Sequence, residues 1–340
     1  MKRRAAMLQL YFGTLPNYFG LALETYKYNA DFDWYVLTDD QRQYPYPPNV
    51  FAQYTTLDRL KRQFQQHLEF PIALEHPYKL CDYRPLYGHL FADLLKGYDF
   101  WGHFDPDVIF GDLNKFINAE TYRQYDKLCM KGHFSLYRNT PAINFLYRQK
   151  ATGCLYFRDV LSSEKNWGFD EREDGVNAFF AINDLKIYTE CPIADIYFRD
   201  YAMRLTGSIE GEIAKSRRSC FAYENGGVYR YYCCDEVIHR EEFMYIHLMK
   251  RGMDICCCSR RSYLIFGNAF REMEPVTKSL LESANRNRFF YRIWDKLKFW
   301  IYFRGMRRAC EVLFVERNVR KFAVKLLEKS HLMGKRRRAA

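Results

Sequence analysis

The run Trp101-Gly-His-Phe-Asp105-Pro-Asp107-Val-Ile-Phe-Gly-Asp112 sets two carboxylates one residue apart between two apolar stretches. Carboxylate oxygens suit a hard divalent cation such as Mg²⁺ or Mn²⁺, and such an ion can in turn hold the phosphate oxygens of a nucleotide. Pro106 biases Asp105 towards an extended backbone and fixes the turn. A bare Asp-x-Asp is a common pattern, and its competing reading is a solvated turn whose aspartates cap a helix. Just upstream stands Tyr78-Lys79-Leu-Cys-Asp82-Tyr-Arg84-Pro85. Cations near a helix start run against the helix dipole, so Lys79 and Arg84 point to an anionic ligand above it. Plain surface charge is the alternative.

Positioning such a loop requires a strand before it. Tyr98–Phe104 reads as a short aromatic strand, and the pattern before it alternates strand and helix. Ala5–Tyr11 is an apolar, alternating strand, Tyr18–Tyr28 a helix, and Asp33–Thr38 a second strand ending in Asp39-Asp40. Leu57–Leu68 has helix-compatible spacing. Pro85–Lys96 is expected to be a helix, with Pro85 in its first turn, Gly97 at its end and Leu86, Leu90 and Leu94 on one face. The alternation argues for an α/β domain with a mostly parallel central sheet. In such sheets a loop after a strand opens into the ligand crevice at the carboxyl ends.

Composition narrows the class. The chain of 340 residues is 48% hydrophobic, with 28 Tyr and 28 Phe, which excludes a disordered chain. Its net charge of +11 is unevenly placed: residues 286–340 carry 17 basic and 4 acidic residues, leaving 35 basic and 37 acidic in 1–285. We therefore read residues 1–285 as one domain and 286–340 as a basic tail. In the tail Phe290, Trp294, Leu297 and Ile301, then Val312, Val315, Val319, Phe322 and Leu326, recur at helical spacing. Basic amphipathic helices of this kind suit an anionic membrane surface; packing on a protein partner is the alternative. The near-neutral body offers no extended basic groove, so nucleic acid is disfavoured.

Met1-Lys-Arg-Arg and the short apolar stretch after it are read as the start of a strand and not as an export signal. No run approaches the roughly 18 apolar residues of a membrane-spanning helix. The eleven cysteines, odd in number and clustered at Cys233-Cys234 and Cys256-Cys257-Cys258, do not suggest a disulfide framework. They are expected to be small buried residues on strands in a reducing, cytoplasmic protein. Cys233, Cys234, His239, His247 and Cys256 lack the Cys-x2-Cys spacing of a zinc site.

Taken together, Pro77–Asp112 resembles the Asp-x-Asp sugar transferases of the GT-A fold. More closely, the chain is similar to an uncharacterised bacterial family of glycosyltransferase-like proteins associated with capsule and surface-polysaccharide synthesis. The blocks that carry this likeness are Tyr11-Phe-Gly-Thr-Leu-Pro-Asn-Tyr, Val36-Leu-Thr-Asp39-Asp40, Gly132-His-Phe-Ser-Leu-Tyr-Arg-Asn139, Phe169-Asp-Glu, Asp174-Gly-Val-Asn177 and Glu241-Glu-Phe-Met-Tyr-Ile-His247-Leu. They span roughly residues 5–250 in order.

The resemblance implies a GT-A-like domain that moves a sugar from a nucleoside-diphosphate sugar to a hydroxyl of a saccharide acceptor. That acceptor would be lipid-linked at the inner face of the membrane, with the protein peripheral there. It implies Asp105, Asp107 and His247 as ligands of Mn²⁺ or Mg²⁺, His247 also being readable as a core histidine. Tyr11, Phe12 and Asp39 would meet the nucleoside, with core packing as the alternative for the two aromatics. Lys79, Asp82 and Arg84 would hold the donor sugar and phosphates. Asp174 would be the general base of an inverting transfer or a sugar contact, or else cap the helix after it. His133 and Ser135 would line the acceptor pocket, an ordinary strand being the alternative for His-Phe-Ser. A non-catalytic sugar-nucleotide-binding or scaffold subunit of a polysaccharide assembly complex is the alternative function. A phosphotransferase with aspartyl nucleophile is a third, disfavoured because its aspartates usually follow the first strand.

Overall fold

Strand β1 (Ala5–Tyr11) sends Ala5 and Met7 into one apolar core and Ala6 and Leu8 into a second. A strand covered on both faces has to be apolar nearly throughout, and this one is. Strand β2 (Phe32–Thr38) does the same, with Trp34 and Val36 on the first side and Leu37 on the second. Helix α1 (Phe19–Tyr28) lies between them in sequence and buries Phe19, Ala22, Leu23 and Tyr26 in the first core. Strand β3 (Val50–Tyr54) and helix α2 (Leu57–Gln65) follow. Thr56 caps α2 by accepting from the Arg59 amide, and Leu60 and Phe64 fill the second core. The structure is a computed structural model and describes residues 4–197, 203–249 and 251–284.

Between α2 and the next strand the chain departs from the expected helix at Pro85–Lys96. Pro77–Leu86 is a 3₁₀ helix that runs into a single α turn, Tyr87–Leu90. Phe91, at φ −121° and ψ 28°, ends it. Leu86 and Leu90 are buried as the spacing requires, while Leu94 is only partly covered. Gly88 packs closely there, a Cβ at its position meeting the side chains of Asn144 and Trp101.

Strand β4 (Phe100–Phe104) then inserts on the far side of β1. After it come β5 (Val108–Phe110), β6 (Lys127–Lys131), β7 (Phe134–Arg138), β8 (Ile187–Tyr188) and β9 (Ile193–Asp195). The main sheet has the order β3-β2-β1-β4-β7-β6-β8. All its strands run the same way except β7, which is antiparallel to both neighbours. The chain is thus an α/β protein, and its main sheet is largely parallel. Strand order reverses between β1 and β4, so the crevice at their carboxyl ends is the topological switch point.

The later part of the chain is β-rich. Strands β10 (Ser219–Glu224), β11 (Gly227–Cys234) and β12 (Val237–Phe243) pair antiparallel, and β13 (Tyr245–His247) leaves them for a separate small sheet. Strands β14 (Asp254–Cys256), β15 (Ser262–Ile265) and β16 (Ala269–Glu272) complete a six-stranded sheet with order β12-β11-β10-β15-β16-β14. The expected burial of the cysteines holds only in part. Cys220 and Cys233 are buried, but Cys234, Cys256 and Cys258 are exposed. Cys234 points away from Cys233 on the alternating strand β11, and Cys256 sits on the edge strand β14. No helix among the described residues is long and apolar enough to cross a membrane. The basic helices expected over 286–340 lie outside the described residues.

Candidate metal and nucleotide site

The third sheet is the smallest, and it builds the site. Its order is β5-β13-β9. Strand β5 begins one residue after Asp107, β13 ends at His247 and β9 ends at Asp195. Register pairs His247 with Val108 on one side and with Asp195 on the other. The Leu248 amide donates to the Asp107 carbonyl at 2.9 Å, and the Ile196 amide to the His247 carbonyl at 3.1 Å. Backbone pairing thus draws together three residues from distant parts of the chain.

Ligand atoms of Asp105, Asp107 and His247 all lie within 4.8 Å of one another. His247 Nε2 is 3.5 Å from Asp107 Oδ1, and His247 Nδ1 is 2.8 Å from Asp195 Oδ1. Asp107 and His247 are buried, 4% and 6% exposed. Burial works against a charged imidazole, yet Asp107, Asp195 and Asp105 together raise His247 to about 10. Two carboxylates and one imidazole make a donor set that fits Mn²⁺ or Mg²⁺. Asp105, Asp107 and His247 are the residues that would hold the ion.

Arg84 joins this group. Its guanidinium pairs with the Asp105 carboxylate, donates to Asp170 Oδ2 at 2.9 Å and donates to the Gly132 carbonyl at 2.7 Å. Gly132 leaves room for this approach, since a Cβ there would crowd Asp170 Oδ2 and Glu171 Oε2 at 2.9 Å each. Burial lifts the Asp170 carboxyl to about 6, with Arg84 pulling the other way. Asp170 and Asp195 were missed by sequence reasoning. Asp170 stands in the block Phe169-Asp-Glu, where the sequence shows the acid but not its contact with Arg84. Asp195 carried no local signal, because its contact with His247 is made only by the pairing of β9 and β13.

Other expected site residues fall elsewhere. Lys79 and Asp82 are wholly buried and paired at 2.8 Å. Lys79 Nζ also donates to the carbonyls of Val160 at 2.8 Å and Lys165 at 2.6 Å, which uses all three of its hydrogens. Asp82 accepts from the Trp167 and Phe169 amides at 3.0 and 2.9 Å. The expectation that they hold donor sugar and phosphate is corrected: they are an internal strut tying the 3₁₀ helix to residues 160–169. Ser135 is also buried, its hydroxyl donating to the Cys129 and Lys131 carbonyls across the bulge in β6. It therefore does not line an acceptor pocket. His133 is likewise buried, but it stacks on His247 with ring centroids 4.1 Å apart.

Asp174 lies near the surface, and both its oxygens take 2.6 Å bonds from Arg172. Those bonds hold its carboxyl below the ordinary range, and Asp174 does not stand free as a base in this arrangement. Nor does it cap the following helix, whose N-cap is Gly175. At the ends of β1 and β2, Phe12 packs in the second core while Tyr11 is half-buried. Asp39 is exposed and accepts from the Gly13 amide at 2.7 Å, and Asp40 accepts from the Leu15 amide at 2.9 Å. The two acids thereby fix the loop after β1 as a shelf beside the crevice.

Behind Asp170 sits Lys127, fully buried, with Nζ 2.6 Å from Asn177 Oδ1 and 4.5 Å from the Tyr137 ring centre. Burial lowers it to about 7, against an ordinary value of 10.5. Between those values the unfolded chain binds the proton and the folded one does not, so this lysine makes stability rise with pH. Lys127→Met should flatten that rise across pH 7–9 and raise the melting temperature at pH 7. An unchanged pH slope in thermal melts would refute this.

No curated protein matches the chain. Residues 7–274, most of the chain and all of the site described above, match DUF6625, a family of unknown function, and the protein belongs to that family.

Proposed function

We propose that the protein is a metal-dependent glycosyltransferase of GT-A type, moving a sugar from a nucleoside-diphosphate sugar to a saccharide hydroxyl. One observation carries this reading: Asp105 and Asp107 stand at the carboxyl end of β4, at the switch point of the main sheet, with His247 and Arg84 turned onto them. A divalent ion held there supplies positive charge to the diphosphate leaving group. Arg84 adds a fixed cation whose geometry Asp170 sets. Tyr11 and the shelf fixed by Asp39 lie at the adjoining ends of β1 and β2, where a nucleoside would rest. Asp174 is engaged by Arg172, so serving as base would require that pair to open.

The acceptor in this reading is a lipid-linked saccharide, and the basic segment 286–340 brings the domain to an anionic bilayer. Co-sedimentation with phosphatidylglycerol vesicles tests that part, and no binding at low salt would remove it. The central test is thermal denaturation of the full chain with Mn²⁺ and each of UDP, GDP, CDP, TDP and ADP. At least one should raise the melting temperature only when the metal is present. Absence of a shift with every base would overturn the reading.

A further inference from the structure

Around His247 the structure holds more than a set of ligands. Asp195 Oδ1 takes the Nδ1 side of His247 at 2.8 Å and stands 3.8 Å from His133 Nε2. His133 Nδ1 is 3.1 Å from the Tyr245 hydroxyl, inside the core. Its Nε2 is buried without a hydrogen-bond partner and has Asp195 as the neighbouring carboxylate.

Two arrangements would use these groups. In one, His133, Asp195 and His247 hold an ion of their own, their ligand atoms lying within 4.8 Å of one another. The rings argue against it. They stack at 4.1 Å with planes only 23° apart, while an imidazole binds an ion along a lone pair in its own plane. Lone pairs of two nearly parallel rings do not converge on one point. In the other arrangement the carboxylate accepts from His247 and, with a movement of under about 1 Å, from His133 as well. That uses the orphan nitrogen, keeps the stack and turns His247 Nε2 to Asp107.

We propose that Asp195 is a positioning residue of the metal centre: it fixes the tautomer and ring plane of His247, and His133, held by Tyr245, braces Asp195 in turn. This rests on the reading that Asp105, Asp107 and His247 bind a divalent ion. A carboxylate behind a ligating imidazole raises its basicity and orients it, and losing such a partner typically weakens metal affinity about 10–100-fold.

The experiment is Mn²⁺ binding by the full-length protein, read from the electron paramagnetic resonance signal of free Mn²⁺, with no nucleotide present. Asp195→Asn keeps the shape and removes the charge, and it should weaken binding about 10–100-fold with little change in the metal-free melting temperature. Asp195→Glu should bind more tightly than the Asn variant. His133→Phe, which keeps the stack, should give a smaller loss than Asp195→Asn. Binding by Asp195→Asn within about twofold of wild type would overturn the proposal. So would equal weakening in the Asn and Glu variants accompanied by a lower metal-free melting temperature, which would make Asp195 merely structural. If wild type itself binds no Mn²⁺, the underlying metal reading fails first, and the proposal fails with it.

Discussion

Asp107→Ala should remove most of the Mn²⁺-dependent thermal shift produced by the cognate nucleoside diphosphate. The carboxylate is buried, stands 3.5 Å from His247 Nε2, and shares its group with Asp105. Its backbone carbonyl is bonded to the Leu248 amide independently of the side chain, so the sheet β5-β13-β9 should survive the substitution. Losing a direct ligand should cost at least as much as losing an outer partner, about 100-fold in affinity. With ligand at about 100 times its Kd, wild type gains about 2.7 kcal/mol; a site 100-fold weaker keeps only about 0.4 kcal/mol. Asp107→Asn, with the same shape, should behave alike. A full shift in either variant would mean that the nucleotide binds without this carboxylate.

The second large effect concerns stability. Lys79→Met should destabilise the domain by roughly 3–5 kcal/mol, because Asp82 would remain buried without its counter-charge. For a domain of this size that is a fall in melting temperature on the order of 10 °C. Removing both charges in Lys79→Met/Asp82→Leu should recover part of the loss, since a buried pair replaced by apolar groups is often neutral. The strut also ties down residues 160–169, which lead directly into Asp170. Nucleotide affinity measured well below the melting temperature should therefore fall only modestly. A large loss of affinity with an unchanged melting temperature would return Lys79 to the role of phosphate ligand.

The contrast between Lys79 and Arg84 shows how far residues alone can be read. Both are basic, five positions apart, in the same 3₁₀ helix. Their local sequence cannot say which one is spent on an internal strut and which reaches the Asp105 carboxylate. Strands β1 and β2 were legible because two-sided burial demands a continuous apolar run: Ala5–Tyr11 matches to the residue and Asp33–Thr38 to within one. Asp105 and Asp107 could be picked out as two acids between apolar strands, a pattern that a solvated turn shares; the structure adds His247 beside them. Asp195 was not legible, because one acid at the end of a three-residue strand has many uses. Only its pairing with β13 distinguishes it, and that contact joins positions 52 apart in the sequence.

That sheet also sets a schedule. His247 is made long after Asp107, and strand β13 cannot pair with β5 before it has left the ribosome. At synthesis speeds of about 5–20 residues per second, the interval is on the order of ten seconds. Through that time the main sheet can form, with Arg84 already able to neutralise Asp105, while the ligand set stays open. If Asp105, Asp107 and His247 hold a divalent ion as proposed, nascent chains would meet cellular metal with only part of the site in place, and tight capture would coincide with completion of β13.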